Sequence, residues 1–579
     1  MLQGYKQPGQ TDCCLIDEEF RGVKKLSSGT VLVIGGVAAG TKAAAKARRE
    51  NPGLKIVVIT KDRHVSYAGC GLPYYIGGIV QEEKELLVRQ PEDFLLDHDI
   101  EIITGQEAVR IIPGEKAVMV KDLTTGELQK FFYDKLVLAT GASPFIPSIK
   151  GKELANIFTV RAISDAAAVK RLLAGRNIQD AVVIGGGMIG LEVAENLSRL
   201  GVKTTLIELS PQILPSYDLD VALYVQNYLR EKGLSILTGT AVTGFEDNGR
   251  GEVGAVLTGA GPVKADLAVL SIGVRPNVDL ARECGIQLGP TGAIAVNKMM
   301  ETSIKDIYAA GDCAENINLI TGRPVWYPMG STANKTGRVT GINVSAKENK
   351  DSLEGVLGTS IIKLFELNVA KTGLTEREAG KLGYDPETVL VPVPDRAHYY
   401  PGNRLIITKL VADRKSRRLL GGQIYGEGAV DKPVDILATA ITLEASVDQL
   451  AKLDLAYAPP FSPAMSSTIV AANVMINKLA GKFKGTSPLS LKEKLAAGAV
   501  LVDVRTAEEY FVRAIPGSIN IPLRELALHA GSLDKNKEII LACKVGLRSY
   551  TAFLKLKSFG FNNLSILEGG ITAYPFETE

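Results

Sequence analysis

Cys70 is the first residue in this chain whose type and setting could do covalent chemistry. It lies between two glycines in Val65-Ser-Tyr-Ala-Gly-Cys-Gly-Leu-Pro-Tyr-Tyr-Ile-Gly-Gly78. An apolar strand-like run, Ile56–Ile59, precedes it. The segment after it can start a helix, with Pro73 tolerated in the first turn. A thiol at a helix N-terminus feels the positive end of the helix dipole, so its pKa is expected to fall and its nucleophilicity to rise. A local redox disulfide would need a second cysteine four residues earlier, where Ser66 stands. The expectation is therefore a lone-cysteine redox centre, with a small packed thiol in a turn as the alternative.

Cys543 has a different setting. Glu538–Ala542 reads as a strand, Cys543-Lys-Val-Gly-Leu-Arg548 as a loop, and a helix starts near Ser549. Successive N–H groups in such a loop form an anion nest, and Arg548 with the helix N-terminus adds positive potential. Cys543 is expected to be thiolate-prone and able to hold an anionic persulfide. Of the other cysteines, Cys284 and Cys313 read as packed thiols, and Cys13-Cys14 as adjacent thiols in a polar tail. With four histidines and no cluster at zinc-ligand spacing, no metal site is expected. Two aromatic turns, His398-Tyr-Tyr-Pro-Gly402 and Leu455-Ala-Tyr-Ala-Pro-Pro-Phe-Ser462, read as packing residues that could also supply acids.

The elements that must position these thiols are legible as two strand–glycine turn–helix units. Val31–Ile34 leads into Gly35-Gly36-Val-Ala-Ala39-Gly40 and an Ala-rich helix over Thr41–Glu50. Such a turn lets a pyrophosphate approach a helix N-terminus. Val37 replaces the middle glycine, and Thr60 stands where a ribose-binding acid is expected, so this fingerprint is weak alone. Lys42, Lys46 and Arg49 share one face of that helix, either solvated or facing a phosphate-rich substrate. The second unit is complete: Ala181–Ile184, then Gly185-Gly-Gly187-Met-Ile189-Gly190, a helix over Leu191–Leu200, and the strand Val202–Ile207 ending in Glu208. Glu208 can accept from an adenosine ribose and would repel a 2′-phosphate, which favours NADH over NADPH. Glu192, in the first turn of the Leu191–Leu200 helix, reads either as a helix-start acid or as placed to approach the nicotinamide or flavin side. Lys135–Leu138 ends in Ala139-Thr140-Gly141, Leu267–Ile272 runs into Gly273, and Ile307–Ala310 enters Gly311-Asp312. Asp312 there can bond ribityl hydroxyls.

The 579 residues are too many for one core. With 66 basic and 64 acidic side chains, net +2, the whole chain does not read as a binder of nucleic acid or membrane surfaces. No apolar run is long enough for a membrane helix, and the polar start is unlike a secretory signal. Six cysteines in this length make no disulfide framework and fit a cytoplasmic protein. The expected fold is α/β: two Rossmann-like dinucleotide-binding domains, an α+β domain and a C-terminal α/β domain. The expected division is an N-terminal arm (1–28), a first dinucleotide domain (29–148 and 289–350), a second (149–288), an α+β domain (351–476), a linker (477–487) and a small domain (488–579). As flexible coil the linker would span of the order of 20 Å.

Together, the two fingerprints, the Ala-Thr-Gly141 strand and Ala-Ala-Gly-Asp312 resemble the two-dinucleotide-fold flavoprotein disulfide reductases over about residues 30–470. Ser66-x-x-x-Cys70-Gly-Leu-Pro-Tyr-Tyr resembles their single-cysteine branch: coenzyme A-disulfide reductases, NADH oxidases and NADH peroxidases. Residues 488–579 resemble a rhodanese domain at Asp503, Arg505, Cys543, Arg548 and Gly569-Gly570, and depart from it at Arg513-Ala514. The fusion resembles coenzyme A-disulfide reductase–rhodanese proteins, or NADH-dependent persulfide reductases.

This resemblance implies FAD at the first fingerprint, NADH at the second, and a homodimer. It implies that Tyr399 (or Tyr400) and Tyr457 approach Cys70 across the subunit interface in place of a catalytic histidine. It also implies that the face around Lys42 and Arg49, with Arg89 and Ser66, takes coenzyme A, and that Arg548 serves the Cys543 loop. The expected activity is NADH-dependent reduction of coenzyme A persulfide, polysulfide and coenzyme A disulfide, with Cys543 carrying sulfane sulfur. The rivals are a peroxidase or oxidase cycling through a Cys70 sulfenic acid, and a non-catalytic redox sensor.

Overall fold

The computed structural model describes residues 29–346 and 350–579, so the Cys13-Cys14 pair lies outside the described residues. The apolar runs of the first unit build a five-stranded parallel sheet in the order Ile307–Ala309, Lys135–Leu138, Thr30–Ile34, Lys55–Ile59, Glu101–Ile103. Its central strand is buried from Val31 to Ile34, as a strand covered on both faces must be. One cover is the helix Ala39–Glu50. It crosses Gly330–Ser345 closely, because Gly337 and Gly341 present no side chain to Ala39, Lys42 and Lys46.

A second parallel sheet has the order Ser235–Leu237, Lys203–Ile207, Asp180–Ile184, Leu267–Leu270, Ile157–Thr159. In both sheets the glycine turn follows the central strand, at its carboxyl end, where open α/β sheets bind ligands. Each sheet carries a three-stranded antiparallel meander, Gln106–Phe132 and Val242–Lys264, which the glycine patterns do not announce.

The third sheet is antiparallel: Ser360–Leu364, Leu367–Gly373, Leu419–Gly426, Leu405–Asp413, Pro386–Pro394. The helices Asp431–Thr442 and Ser467–Leu479 pack on it around a core that includes Leu410, Leu437 and Met475. Buried Lys409 ties it to the second unit through ion pairs to Asp218 (3.3 Å) and Asp220 (2.9 Å). The fourth sheet is parallel, ordered Gly485–Thr486, Leu564–Leu567, Ile539–Ala542, Val500–Asp503, Ser518–Asn520.

The stretch 477–487 is not the flexible coil expected of it. Its first three residues finish the helix Ser467–Leu479, and Gly485–Thr486 pairs with Leu564–Leu567 as an edge strand. Buried partners decide the matter: Lys478 pairs with Glu387 on the third sheet and with Glu568 on the fourth. Among the described residues no helix is long and apolar enough to cross a membrane.

Candidate active sites around Cys70 and Cys543

The two glycine turns are built alike. A Cβ on Gly35 would stand 2.0 Å from the Ala139 carbonyl oxygen, and one on Gly40 would stand 1.9 Å from that of Gly35. Strand, turn and helix can approach this closely only without side chains there. Ala39 packs with Ala310, Ala333 and Ala139, and Gly311 also closes on Ala39. Thr140 and Gly141 are pinned by Asn277, whose side-chain amide donates to the Thr140 carbonyl (2.8 Å). The structure thus gathers Gly35, Gly36, Ala39, Gly40, Ala139, Thr140, Gly141, Gly311 and Asp312 at one end of the first sheet. In the second unit, Gly190 likewise closes on Gly185, and Gly187 precedes the helix Met188–Arg199. Ile189 is half-exposed in that helix's first turn, and Gly273 follows the neighbouring strand in open space. Glu208 is buried, and its two oxygens accept from the backbone N–H of Gly186 (2.6 Å) and Ser210 (2.7 Å).

Cys70 sits in a 3₁₀ turn, Gly69–Gly71, that runs into the five-residue helix Leu72–Ile76. Ser66 fastens this segment to the first glycine turn: its N–H donates to the Gly36 carbonyl (2.9 Å), with φ at +48°. The residue is exposed, yet its thiol pKa is pushed up. Desolvation of the sulfur is the largest cause, followed by the carboxylates of Glu192 and Asp312; Arg161 pulls the other way. This reverses the sequence expectation. The helix is short, and desolvation, with acids remote in sequence, outweighs its dipole.

Glu192 accepts a hydrogen bond from the Tyr74 hydroxyl (3.1 Å), and burial lifts its carboxyl to about 7. Burial also raises Asp312, while Arg161 lowers it from 3.7 Å. Tyr74 and Arg161 carry no role in the sequence reading. Tyr74 sits within the Cys70 segment, but its partner is 118 residues away. The signal for Arg161 is faint: a strand end followed by Asp165, which caps the next helix.

Tyr399 and Tyr457 meet on the third domain, both exposed. The neighbouring Tyr457 hydroxyl is the main cause of the raised Tyr399 pKa. Tyr400 lies in the same turn, its N–H bonded to the Ala397 carbonyl (2.9 Å). The basic face is less free than the sequence suggests. Lys46 pairs with Glu50, Lys42 lies beside Gly337 at the helix crossing, and Arg89 donates to Asp97 (2.9 Å), leaving Arg49 exposed.

Cys543 is 1% exposed, at the end of Ile539–Ala542. Its sulfur accepts from the Gly546 N–H (3.1 Å), and Gly546 adopts φ +113° just before the helix Leu547–Ser558. The turn Gly569-Gly570 buttresses the loop: the Ile571 N–H donates to the Cys543 carbonyl (2.9 Å). Arg548 makes a two-pronged pair with Glu509 (2.6 and 2.8 Å). Glu509, absent from the sequence-based assignment, is held at about 2, chiefly by Arg548. Arg505 grips Asp503 (2.6 Å) and donates to the carbonyls of Glu509 and Arg513.

Two parallel dinucleotide-type sheets, a lone thiol between them and a third antiparallel sheet define a two-nucleotide redox protein. The model for pyridine nucleotide-disulphide oxidoreductases matches residues 29–325, that for their dimerisation domain 359–469, and that for rhodanese-like domains 487–575. The chain belongs to the pyridine nucleotide-disulphide oxidoreductase family, with a rhodanese-like domain at its C-terminal end.

Two solved structures are similar along almost the whole chain. One is a reduced Bacillus anthracis CoADR-RHD, 34% identical with a TM-score of 0.89, covering 94% of this chain and 98% of that one. The other is an NAD-dependent persulfide reductase from A. fulgidus, 39% identical with the same TM-score, covering 94% and 100%. A Pyrococcus abyssi NAD(P)H sulfur oxidoreductase (CoA-dependent) is 38% identical over 447 residues, 77% of this chain and 98% of its own.

The family is FAD-dependent and uses NAD(P)H. The residues fit a flavin dinucleotide at the first turn. The helix Ala39–Glu50 has no side-chain cap and no acid in its first turn, leaving its amides for a phosphate. The Asp312 carboxylate, with Arg161 at 3.7 Å, keeps acceptor capacity for a polyol.

Proposed function

We propose that this protein is an NADH-dependent reductase of coenzyme A persulfide and polysulfide that also reduces coenzyme A disulfide, with Cys543 carrying the sulfane sulfur. The observation that carries this reading is the pair of unlike thiols on one chain. Cys70 has Ser66 where a partner cysteine would stand, so the second sulfur of its chemistry comes from outside. Cys543 lies in an anion-holding loop suited to supply that sulfur. The relatives described as CoA-dependent and persulfide-reducing support the same reading. Buried Glu208 supports NADH, because a second anion beside it would be repelled.

Coenzyme A thiolate attacks the outer sulfur held on Cys543, forming coenzyme A persulfide and freeing the Cys543 thiolate. Cys70 thiolate then attacks the sulfur bonded to coenzyme A. The S–S bond breaks, hydrosulfide leaves, and a Cys70–coenzyme A mixed disulfide remains. FAD, when bound, supplies the route for two electrons from the nicotinamide to sulfur. Those electrons cleave the mixed disulfide to two thiolates. Overall, coenzyme A persulfide, NADH and a proton give coenzyme A thiol, hydrogen sulfide and NAD⁺. In a homodimer, Tyr399 and Tyr457 of a second subunit protonate the departing sulfur, and Lys42, Arg49 and Arg89 hold the phosphates of coenzyme A.

The test is steady-state NADH consumption with coenzyme A persulfide, polysulfide, coenzyme A disulfide and peroxide side by side. Sulfur substrates are expected to be preferred; a preference for peroxide or oxygen by orders of magnitude would sink the reading.

A further inference from the structure

We propose that Arg161 is the counter-charge that sets the ionisation of Cys70, reaching across from the nucleotide unit that does not carry the thiol. Arg161 lies between the strand Ile157–Thr159 and the helix Ile163–Gly175 of the second unit. Cys70 and Asp312 belong to the first. Its reach is fixed at three points: its N–H donates to Asp165 (2.9 Å), its Nε to the Ala142 carbonyl (3.0 Å), and its carbonyl accepts from the Tyr67 hydroxyl (3.4 Å).

The guanidinium so held lies against the Cys70 turn. A Cβ on Gly69 would stand 4.0 Å from Nη1, and one on Gly141 would stand 3.5 Å from Nη2. The carboxylate nearest its free end is Asp312, at 3.7 Å. Asp165 is already engaged by the backbone amides of Arg161 and Ala162. The groups facing Cys70 are therefore two acids, Glu192 and Asp312, one cation, Arg161, and the Tyr74 hydroxyl. Without the cation, the thiolate would face like charge alone.

This assignment rests on Cys70 being the exchanging thiol, and it holds for any sulfur substrate. The experiment is pH-dependent alkylation of the FAD-loaded enzyme with iodoacetamide, following the Cys70 peptide by mass spectrometry. FAD content and melting temperature are checked for each variant. Arg161→Gln is expected to raise the apparent Cys70 pKa by about one unit, a tenfold loss of thiolate at neutral pH, with the plateau rate unchanged. Arg161→Met, which keeps the aliphatic stem, is the second neutral variant. Arg161→Lys should restore most of the shift, and Glu192→Gln should move the pKa down. A Gln or Met variant that keeps its FAD and the wild-type Cys70 profile overturns the assignment. Loss of turnover in Cys70→Ser tests the proposed function instead, so the two readings fail separately.

Discussion

The two thiols are held in opposite ways. Cys70 is exposed on a short 3₁₀ turn, among carboxyl groups raised above their ordinary range. Cys543 is buried, its sulfur already accepts a backbone N–H, and the charges around it are matched: Arg505 with Asp503, Arg548 with Glu509. The first arrangement leaves protons and charge free to move. The second closes its neighbouring charges into pairs. Under the proposed function, Cys70 breaks and makes S–S bonds in every turnover and needs the former, and Cys543 stores sulfur between turnovers and needs the latter.

The largest effect that sharpens this contrast is removal of each thiol. Cys70→Ser is expected to lower NADH consumption ~10³-fold or more with every sulfur substrate. Cys543→Ser should spare coenzyme A disulfide and slow only donors that load the rhodanese-like domain. Equal losses with all donors in Cys543→Ser would erase the division of labour.

Next come the tyrosines. Tyr457→Phe is expected to lower turnover about 100-fold, the scale of a lost proton donor. Hybrid dimers pairing a Cys70→Ser subunit with a Tyr457→Phe subunit should regain activity at one of their two sites. Hybrids as inactive as either parent would argue against action across the interface.

Glu509→Gln breaks the two-pronged pair with Arg548, and sulfur loading of Cys543, followed by cyanide-reactive sulfur, should fall about tenfold. Coenzyme A disulfide reduction should be unchanged, and a loss there would count against separate sites.

The last effect is on stability alone, and its sign differs between the two regions. Glu192 is raised in the folded state, so its contribution is fully present below pH 4.5 and is lost as pH climbs through 7. Glu192→Gln should therefore gain melting temperature relative to wild type above pH 7, by at most ~3 kcal/mol in stability. Glu509 is depressed to about 2, so its contribution is present above pH 4.5 and is lost as pH falls towards 2. Melting curves for both variants that ran parallel to wild type across this range would show that neither acid is coupled to folding.

Both thiols, both glycine turns and the order of the units were legible because each rests on local pattern: an apolar run, a glycine spacing, a helix start. The direction of the Cys70 pKa was not, since the desolvation of the sulfur comes from the folded surroundings, and Glu192 and Asp312 arrive from more than 100 residues away. Arg161 was hidden for the same reason, whereas Tyr399 and Tyr457 were brought together only by the family resemblance and not by any local pattern. The stretch 477–487 looked like coil because lysine and glycine dominate it. Its order comes from what Lys478 finds in three dimensions, which composition does not encode.

That lysine has a kinetic consequence. Glu568, next to the turn that buttresses Cys543, is nearly fully buried and joined through Lys478 to Glu387 of the antiparallel sheet. Ala573, just beyond, packs into the same hydrophobic cluster as Tyr425 and Leu390. A domain seated on a largely buried lysine between two glutamates and on an apolar plug does not swing on a tether. Under the proposed relay, throughput between the two thiols is then expected to scale with the concentration and residence time of a diffusible carrier, and lengthening the 480–484 segment to leave it unchanged.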